Sequence, residues 1–129
     1  MLSRRSILLA ALATSSAAVP AALAGPRPFD ATAFDAAQKA GKPIFIAIDA
    51  SWCPTCAVQR PILNQLTADP KFKDLEYFNI DFDTQKDLVR RFSARMQSTL
   101  IAFKGTKEQG RSVGETNRSA IAALLNKVL

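Results

Sequence analysis

The 129-residue sequence contains no histidine and only two cysteines. Without histidine, a Ser-His-Asp triad, a Cys-His protease dyad and a histidine-ligated zinc site are all excluded. Two cysteines are too few for a four-cysteine zinc or iron–sulfur site within one chain, and too few for a scaffold with several disulfides. Whatever chemistry the cysteines perform, they therefore perform as a single pair.

The N-terminal segment, residues 1–24, has the pattern of a cleavable export signal. It begins with Arg4-Arg5, continues with an uncharged, alanine-rich stretch over residues 7–19, and ends in Ala22-Leu23-Ala24, where small residues suit a signal peptidase. A membrane anchor is the alternative, but serine, threonine and proline dilute the stretch, whereas a span needs about 20 strongly apolar residues. We expect cleavage before Gly25 and a periplasmic protein.

The export route is left open by the same segment. Arg4-Arg5, flanked by serines and followed by Ile7-Leu8, resembles the twin-arginine signal of bacteria, which directs folded proteins across the membrane. The general secretory route stays open, because any short signal can contain two arginines. Both routes deliver the mature protein outside the cytoplasm.

The mature chain has an ordinary charge balance. The whole sequence carries a formal charge of +6, and removal of the two signal arginines leaves +4. Its densest basic run, residues 86–95, has Asp81, Asp83 and Asp87 beside it. This mixture is typical of a solvated helix face, whereas a nucleic-acid site shows a one-sided basic stripe. We expect no nucleic-acid partner.

Residues 25–129 alternate helix and strand patterns, which predicts a single α/β domain with helices on both faces of a central sheet. The predicted elements are an extended leader (25–28), helices over 30–40, 53–68, 85–95 and 117–128, buried strands over 43–49, 75–80 and 99–104, and a short edge strand over 110–114. In the second helix, Val58, Ile62 and Leu66 recur every four residues and predict its buried face. Pro61 is expected to kink that helix.

The reactive chemistry is predicted at Trp52-Cys53-Pro54-Thr55-Cys56, where a buried strand ends and a helix begins. The positive end of the helix dipole favours a thiolate on Cys53, which is the reactive form of the thiol. Pro54 suits the first helical position, where its missing N–H costs little. Cys56, one turn further on, lies near enough to attack a mixed disulfide on Cys53. These attacking and resolving roles amount to dithiol–disulfide exchange.

Other interpretations of the motif remain open. A purely structural disulfide is possible in an oxidising compartment, although so small a loop removes little entropy from the unfolded chain. Half of a metal site is possible if a second chain or a small molecule supplies the other ligands. Trp52 could simply fill the core, but its position favours partial burial next to the reactive sulfur.

Several features of the chain, in order, resemble the thioredoxin superfamily. After the Trp-Cys-Pro-Thr-Cys motif come Pro61, at the position of the helix-kinking proline, and Asn79-Ile80-Asp81 at a strand end. Residues 99–105 resemble the third core strand and its turn, and Val113-Gly114 matches the glycine before the last helix. The similarity covers about residues 29–129 and implies the thioredoxin-like three-layer sandwich, with a central mixed sheet between two layers of helices. It also implies a protein thiol–disulfide oxidoreductase.

The chain departs from the family pattern at three positions. Ser98 stands where the family has a cis-proline in the loop that faces the cysteines and pairs with substrate backbone, so the loop is either trans or a strained cis. Ala47 replaces the buried acid, and Tyr77 replaces the lysine that pairs with it. Asp49 could partly substitute for that acid, or could be a strand-end residue that meets solvent or caps a turn.

We therefore expect an exported oxidoreductase in which Cys53 attacks and Cys56 resolves. Trp52, Pro54 and Thr55 would form the rim of the substrate site, and Ser98 with Thr99 would form the facing loop. The resemblance implies cysteine-containing exported proteins as substrates, a membrane thiol donor or acceptor of electrons, and no cofactor or metal beyond the redox-active disulfide. We expect a monomer that reduces rather than oxidises. The alternative is a binding module of the same fold, handling clients or metal with little turnover.

Overall fold

The structure is a computed structural model that describes residues 25–129, so the predicted export signal lies outside the described residues. In chain order the elements are β1 (Arg27–Pro28), α1 (Ala31–Lys39), β2 (Pro43–Asp49), α2 (Pro54–Thr67), a 3₁₀ turn (Pro70–Phe72), β3 (Glu76–Asp81), α3 (Lys86–Arg91), β4 (Thr99–Lys104), β5 (Lys107–Val113) and α4 (Arg118–Asn126). None of these helices is long and apolar enough to cross a membrane.

The five strands form one mixed sheet in the order β1-β3-β2-β4-β5. The first three of these run parallel, whereas β4 is antiparallel to β2 and β5 is antiparallel to β4. Helices α1 and α3 pack on one face, and α2 and α4 pack on the other. This arrangement confirms the predicted α/β three-layer sandwich.

Strand β2 lies at the centre of the sheet and is covered on both faces, as its unbroken apolar run predicts. Ile44, Ile46 and Ile48 face α1 and α3, and Phe45 and Ala47 face α2 and α4. Its carboxyl end leads directly into the segment that carries both cysteines. A rigid central strand therefore positions the candidate site.

The buried face of α2 differs from the prediction. Val58 is 46% exposed, and Ile62 and Leu66 are only partly buried. The helix instead buries Cys56, Gln59, Leu63 and Thr67. The predicted face was wrong because Cys56 turns inward, and helical spacing then brings Gln59, Leu63 and Thr67 under the same face.

Smaller differences lie at the ends of other elements. Helix α3 stops at Arg91, short of the predicted residue 95, and Ser93 just beyond it has a left-handed φ of 53°. Strand β5 is longer than predicted and begins at Lys107, because the tight turn at Gly105, with φ 59°, returns the chain directly alongside β4. The extended leader supplies the short strand β1, which pairs with β3.

Candidate active site

The two cysteines open helix α2 and form a disulfide with their Cα atoms 5.2 Å apart. Cys53 is the N-cap residue, with extended backbone dihedrals, and its sulfur accepts the backbone N–H of Cys56 at 3.1 Å. Pro54 follows at the first helical position. The Cys53 sulfur thus occupies the place where an N-cap oxygen would meet the free amides of the helix, an environment that stabilises an anion.

The disulfide is almost completely covered. Cys53 is 2% exposed and Cys56 is fully buried, and both pack with Ala50 and the ring of Phe82. The Cys53 N–H donates to the Ala50 carbonyl at 3.2 Å, which closes the turn between β2 and α2. Pro54 is exposed and Thr55 is half-buried on the first turn of α2. These two residues form an accessible edge beside the buried sulfurs.

Trp52 lies at the surface next to this edge. Its side chain is 58% exposed, more open than the partial burial that its position predicts. The reason is a hydrogen bond from Nε1 to the Asp83 carboxylate at 2.7 Å, which holds the indole over the loop after β3. Trp52 therefore exposes a large apolar ring at the surface and does not fill the core.

An ion pair lies on the α2 side of the strand end. Asp49 accepts from Arg60 Nε at 3.0 Å and from Asn79 Nδ2 at 2.9 Å. Arg60 also donates through Nη2 to the Ala50 carbonyl at 3.1 Å, the same carbonyl that receives the Cys53 N–H. The Asp49 carboxylate is therefore neither a free strand-end acid nor a turn cap. It pairs with Arg60, and this Asp49–Arg60 clamp holds the turn over residues 50–53, called here the cysteine turn.

The positions of the family's acid and lysine hold no free proton-handling pair. Ala47 and Tyr77 are both buried against α2 and α4. Burial raises the pKa of Tyr77, and the negative charge of Asp49 raises it further, partly offset by Arg60. The Tyr77 hydroxyl consequently stays protonated throughout the physiological range.

The facing loop is trans at the position of the family's cis-proline. Ser98 adopts a left-handed φ of 60°, a conformation that costs a non-glycine residue about 1–2 kcal/mol. The carbonyls of Met96, Gln97 and Ser98 each accept a hydrogen bond from within the chain. Ser98 and Thr99 are 5% and 1% exposed, and their hydroxyl groups donate to carbonyls of the same loop.

Sheet register brings this loop to the cysteines. Thr99, the first residue of β4, pairs with Ile48 near the end of β2, so the loop and the cysteine turn share one edge of the sheet. Three residues that sequence analysis missed complete the surroundings: Gln59, Arg60 and Asp83. Among residues 25–129, no group of three or more acidic or cysteine side chains is arranged to hold a metal ion.

Comparisons with known proteins identify the family to which this chain belongs. The family model named thioredoxin matches residues 27–127. The chain belongs to the thioredoxin family. The protein Trxlp of Edwardsiella tarda EIB202 is 41% identical in sequence, and the match covers 76% of this chain and 95% of that one with a TM-score of 0.73. With the cysteine pair at the start of α2, the chain is a thioredoxin-fold thiol–disulfide oxidoreductase.

Curated relatives agree with this family assignment. The thioredoxin of Mycobacterium tuberculosis is 30% identical over 88 residues, which is 68% of this chain and 75% of that protein. The bifunctional thioredoxin reductase/thioredoxin of Mycobacterium leprae is 27% identical over 100 residues, which is 78% of this chain and 22% of that protein. This chain therefore corresponds to only a part of the bifunctional relative.

Proposed function

We propose that this thioredoxin-family chain is an exported oxidoreductase that reduces disulfides in cysteine-containing proteins. The observation that carries the proposal is the N-cap position of Cys53, whose sulfur accepts the Cys56 N–H at 3.1 Å. In the reduced protein the same amide and the helix dipole stabilise a thiolate at Cys53, and the thiolate is the nucleophile of disulfide exchange.

The exchange proceeds in two balanced steps. The Cys53 thiolate attacks one sulfur of the substrate disulfide, so a mixed disulfide forms and the other substrate sulfur leaves as a thiolate, which takes up a proton. Cys56 then loses its proton and attacks the Cys53 sulfur. The second substrate sulfur leaves, and two electrons have passed from the cysteine pair to the substrate.

The direction of electron flow is proposed from the relatives and the motif. Similar proteins are named thioredoxin, and one is joined to a thioredoxin reductase. No histidine lies between Cys53 and Cys56, unlike the strongly oxidising periplasmic relatives in the resemblance. A chain that reduces exported proteins needs its own supply of electrons, and we propose a membrane thiol donor. No cofactor beyond the cysteine pair enters the scheme, and the active species is a monomer.

Trapping the mixed disulfide tests the chemistry. The variant Cys56→Ser leaves Cys53 to attack without a resolving thiol. Incubated with a periplasmic extract, it is expected to accumulate mixed-disulfide adducts with the substrate proteins, and these adducts should disappear on addition of reductant. The matched control is the double variant Cys53→Ser/Cys56→Ser, which should form none. Adducts in both variants, or in neither, would contradict the proposed roles.

Export is tested separately by the mass of the mature protein. Expressed with residues 1–24 in a Gram-negative bacterium, the protein is expected in the periplasmic fraction with Gly25 at its N-terminus. Replacing Arg4-Arg5 by two lysines distinguishes the routes, because loss of export would indicate the twin-arginine route and continued export the general one. An uncleaved protein in the cytoplasm would contradict the proposed localisation.

A binding module with little turnover is the second candidate. The observation in its favour is the burial of the disulfide, with Cys53 2% exposed and the carbonyls of the facing loop engaged internally. Steady-state reduction of insulin, with dithiothreitol as electron source, separates the two candidates. Many turnovers per protein would favour the oxidoreductase, whereas one adduct per protein without turnover would favour the binding module.

A further inference from the structure

Gln59 is a buried polar side chain on the helix that carries the cysteines. It is 3% exposed and lies on the inward face of α2, three residues after Cys56. Its Nε2 donates to the Glu115 carbonyl at 2.9 Å and to the Ser98 carbonyl at 3.3 Å. Buried amides that bridge separate segments specify geometry, because each lost partner leaves a polar group without water. The side chain thus ties α2 to two loops at once.

Ser98, at one end of this bridge, is one of two non-glycine residues in the described part of the chain with a left-handed φ. Ser98 is held at a φ of 60°, and its carbonyl also receives the Gly114 N–H at 3.0 Å. Strained backbone persists only where the surroundings hold it. Here two donors hold the Ser98 carbonyl, one from Gly114, the residue after β5, and one from Gln59. The bridge therefore fixes the loop relative to the helix of the disulfide.

We propose that Gln59 is a positioning residue that sets the facing loop for docking of protein substrates. In the family pattern a proline ring shapes this loop, whereas in this chain the loop is trans at Ser98 and a hydrogen-bonded amide holds it. Gln59 is placed to act on recognition of an extended substrate backbone and not on the chemistry of the sulfurs. This inference rests on the proposed exchange with protein disulfides.

The variant Gln59→Met tests the inference, because methionine has similar length and packs in apolar gaps but donates no hydrogen bond. The matched control is Gln65→Met, the same substitution at an exposed position of the same helix. Two substrates are compared: insulin, whose disulfide lies in a peptide chain, and 5,5′-dithiobis(2-nitrobenzoate), which is too small to need the loop.

For Gln59→Met, we expect the KM for insulin to rise about five- to tenfold, the effect of losing the one hydrogen bond that reaches the facing loop at Ser98. The kcat for insulin and the rate with the small disulfide should stay within about twofold of the wild type. Gln65→Met should match the wild type in the KM for insulin, the kcat for insulin and the rate with the small disulfide. An unchanged KM for insulin in a folded Gln59→Met protein would overturn the inference. An equal fall in the rate of reduction of both substrates would overturn it too.

Amide hydrogen exchange supplies a readout that does not depend on activity. In Gln59→Met, exchange at residues 96–99 should be faster than in the wild type, while exchange in α1 should be unchanged. If residues 96–99 exchange at the same rate in Gln59→Met as in the wild type, the positioning role is overturned. If the wild type itself reduces neither substrate, the proposed function fails, and the exchange measurement still decides whether Gln59 holds the loop.

Discussion

The Asp49–Arg60 clamp allows a quantitative prediction about stability. Replacing Arg60 by methionine keeps most of the apolar stem but removes two contacts: the ion pair with Asp49 and the hydrogen bond to the Ala50 carbonyl. Asp49 would keep only its hydrogen bond from Asn79. Because the Ala50 carbonyl also accepts the Cys53 N–H, the substitution loosens the turn that carries Cys53.

The expected loss of stability in Arg60→Met follows from the exposure of Asp49 and Arg60. Hydrogen bonds to charged groups contribute about 1.5–3 kcal/mol, whereas fully exposed ion pairs contribute about 0–1 kcal/mol. Asp49 is 19% exposed and Arg60 is 42% exposed, so we assign about 1 kcal/mol to the pair after solvent screening. The bond to Ala50 contributes about 1 kcal/mol more. Arg60→Met should therefore lower the free energy of unfolding by about 2 kcal/mol.

A double-mutant cycle with Asp49→Asn isolates the pair. Asparagine keeps the shape of Asp49 and an oxygen for Asn79 but carries no charge. Urea unfolding of the oxidised proteins should give a coupling energy of about 1 kcal/mol between positions 49 and 60, smaller at high salt. A coupling near zero at low salt, with both single variants folded, would refute the argument that the charges act together on this turn.

Two further predictions concern the helix face and the loop after β3. Leu63→Ala should lower the free energy of unfolding in urea by about 2–5 kcal/mol, because Leu63 is 1% exposed. Val58→Ala, at a site 46% exposed, should lower it by less than about 1 kcal/mol. Equal losses would contradict the assigned face. Asp81 accepts the N–H groups of Thr84 and Asp83, and these bonds hold its pKa below its ordinary 3.8. The carboxylate therefore adds stability above about pH 4 that is lost as pH falls through the lowered pKa. The advantage of wild type over Asp81→Asn should shrink as pH falls below about 4, and an advantage that acid leaves unchanged would contradict the assignment.

The central strand β2 and the cysteine pair could be predicted because local chemistry determines them. An unbroken apolar run predicts a strand covered on both faces, and β2 has that position. A cysteine before a proline at a helix start predicts a sulfur at the positive end of the helix, and Cys53 has that position. In both cases the signal lies within a few neighbouring residues, so no knowledge of tertiary packing is needed.

The supporting polar residues could not be predicted, because their partners are distant in sequence. Gln59 bonds to Ser98, 39 residues away, and Trp52 bonds to Asp83, 31 residues away. The apolar spacing of α2 favoured the wrong face, since two of its four buried residues are the polar Gln59 and Thr67. Helical spacing from Cys56 was the one available signal, because a buried Cys56 places Gln59 on the same face.

The reduction potential of the Cys53–Cys56 pair is the most direct test of the proposed function. It is measured by equilibrating the protein with dithiothreitol or glutathione buffers of defined ratio and quantifying the free thiols. The account predicts a two-electron potential near about −270 mV, the value of a thioredoxin reductant. A potential near about −120 mV, typical of a periplasmic oxidant, would contradict it. A pair that fails to equilibrate with either buffer would contradict dithiol exchange itself.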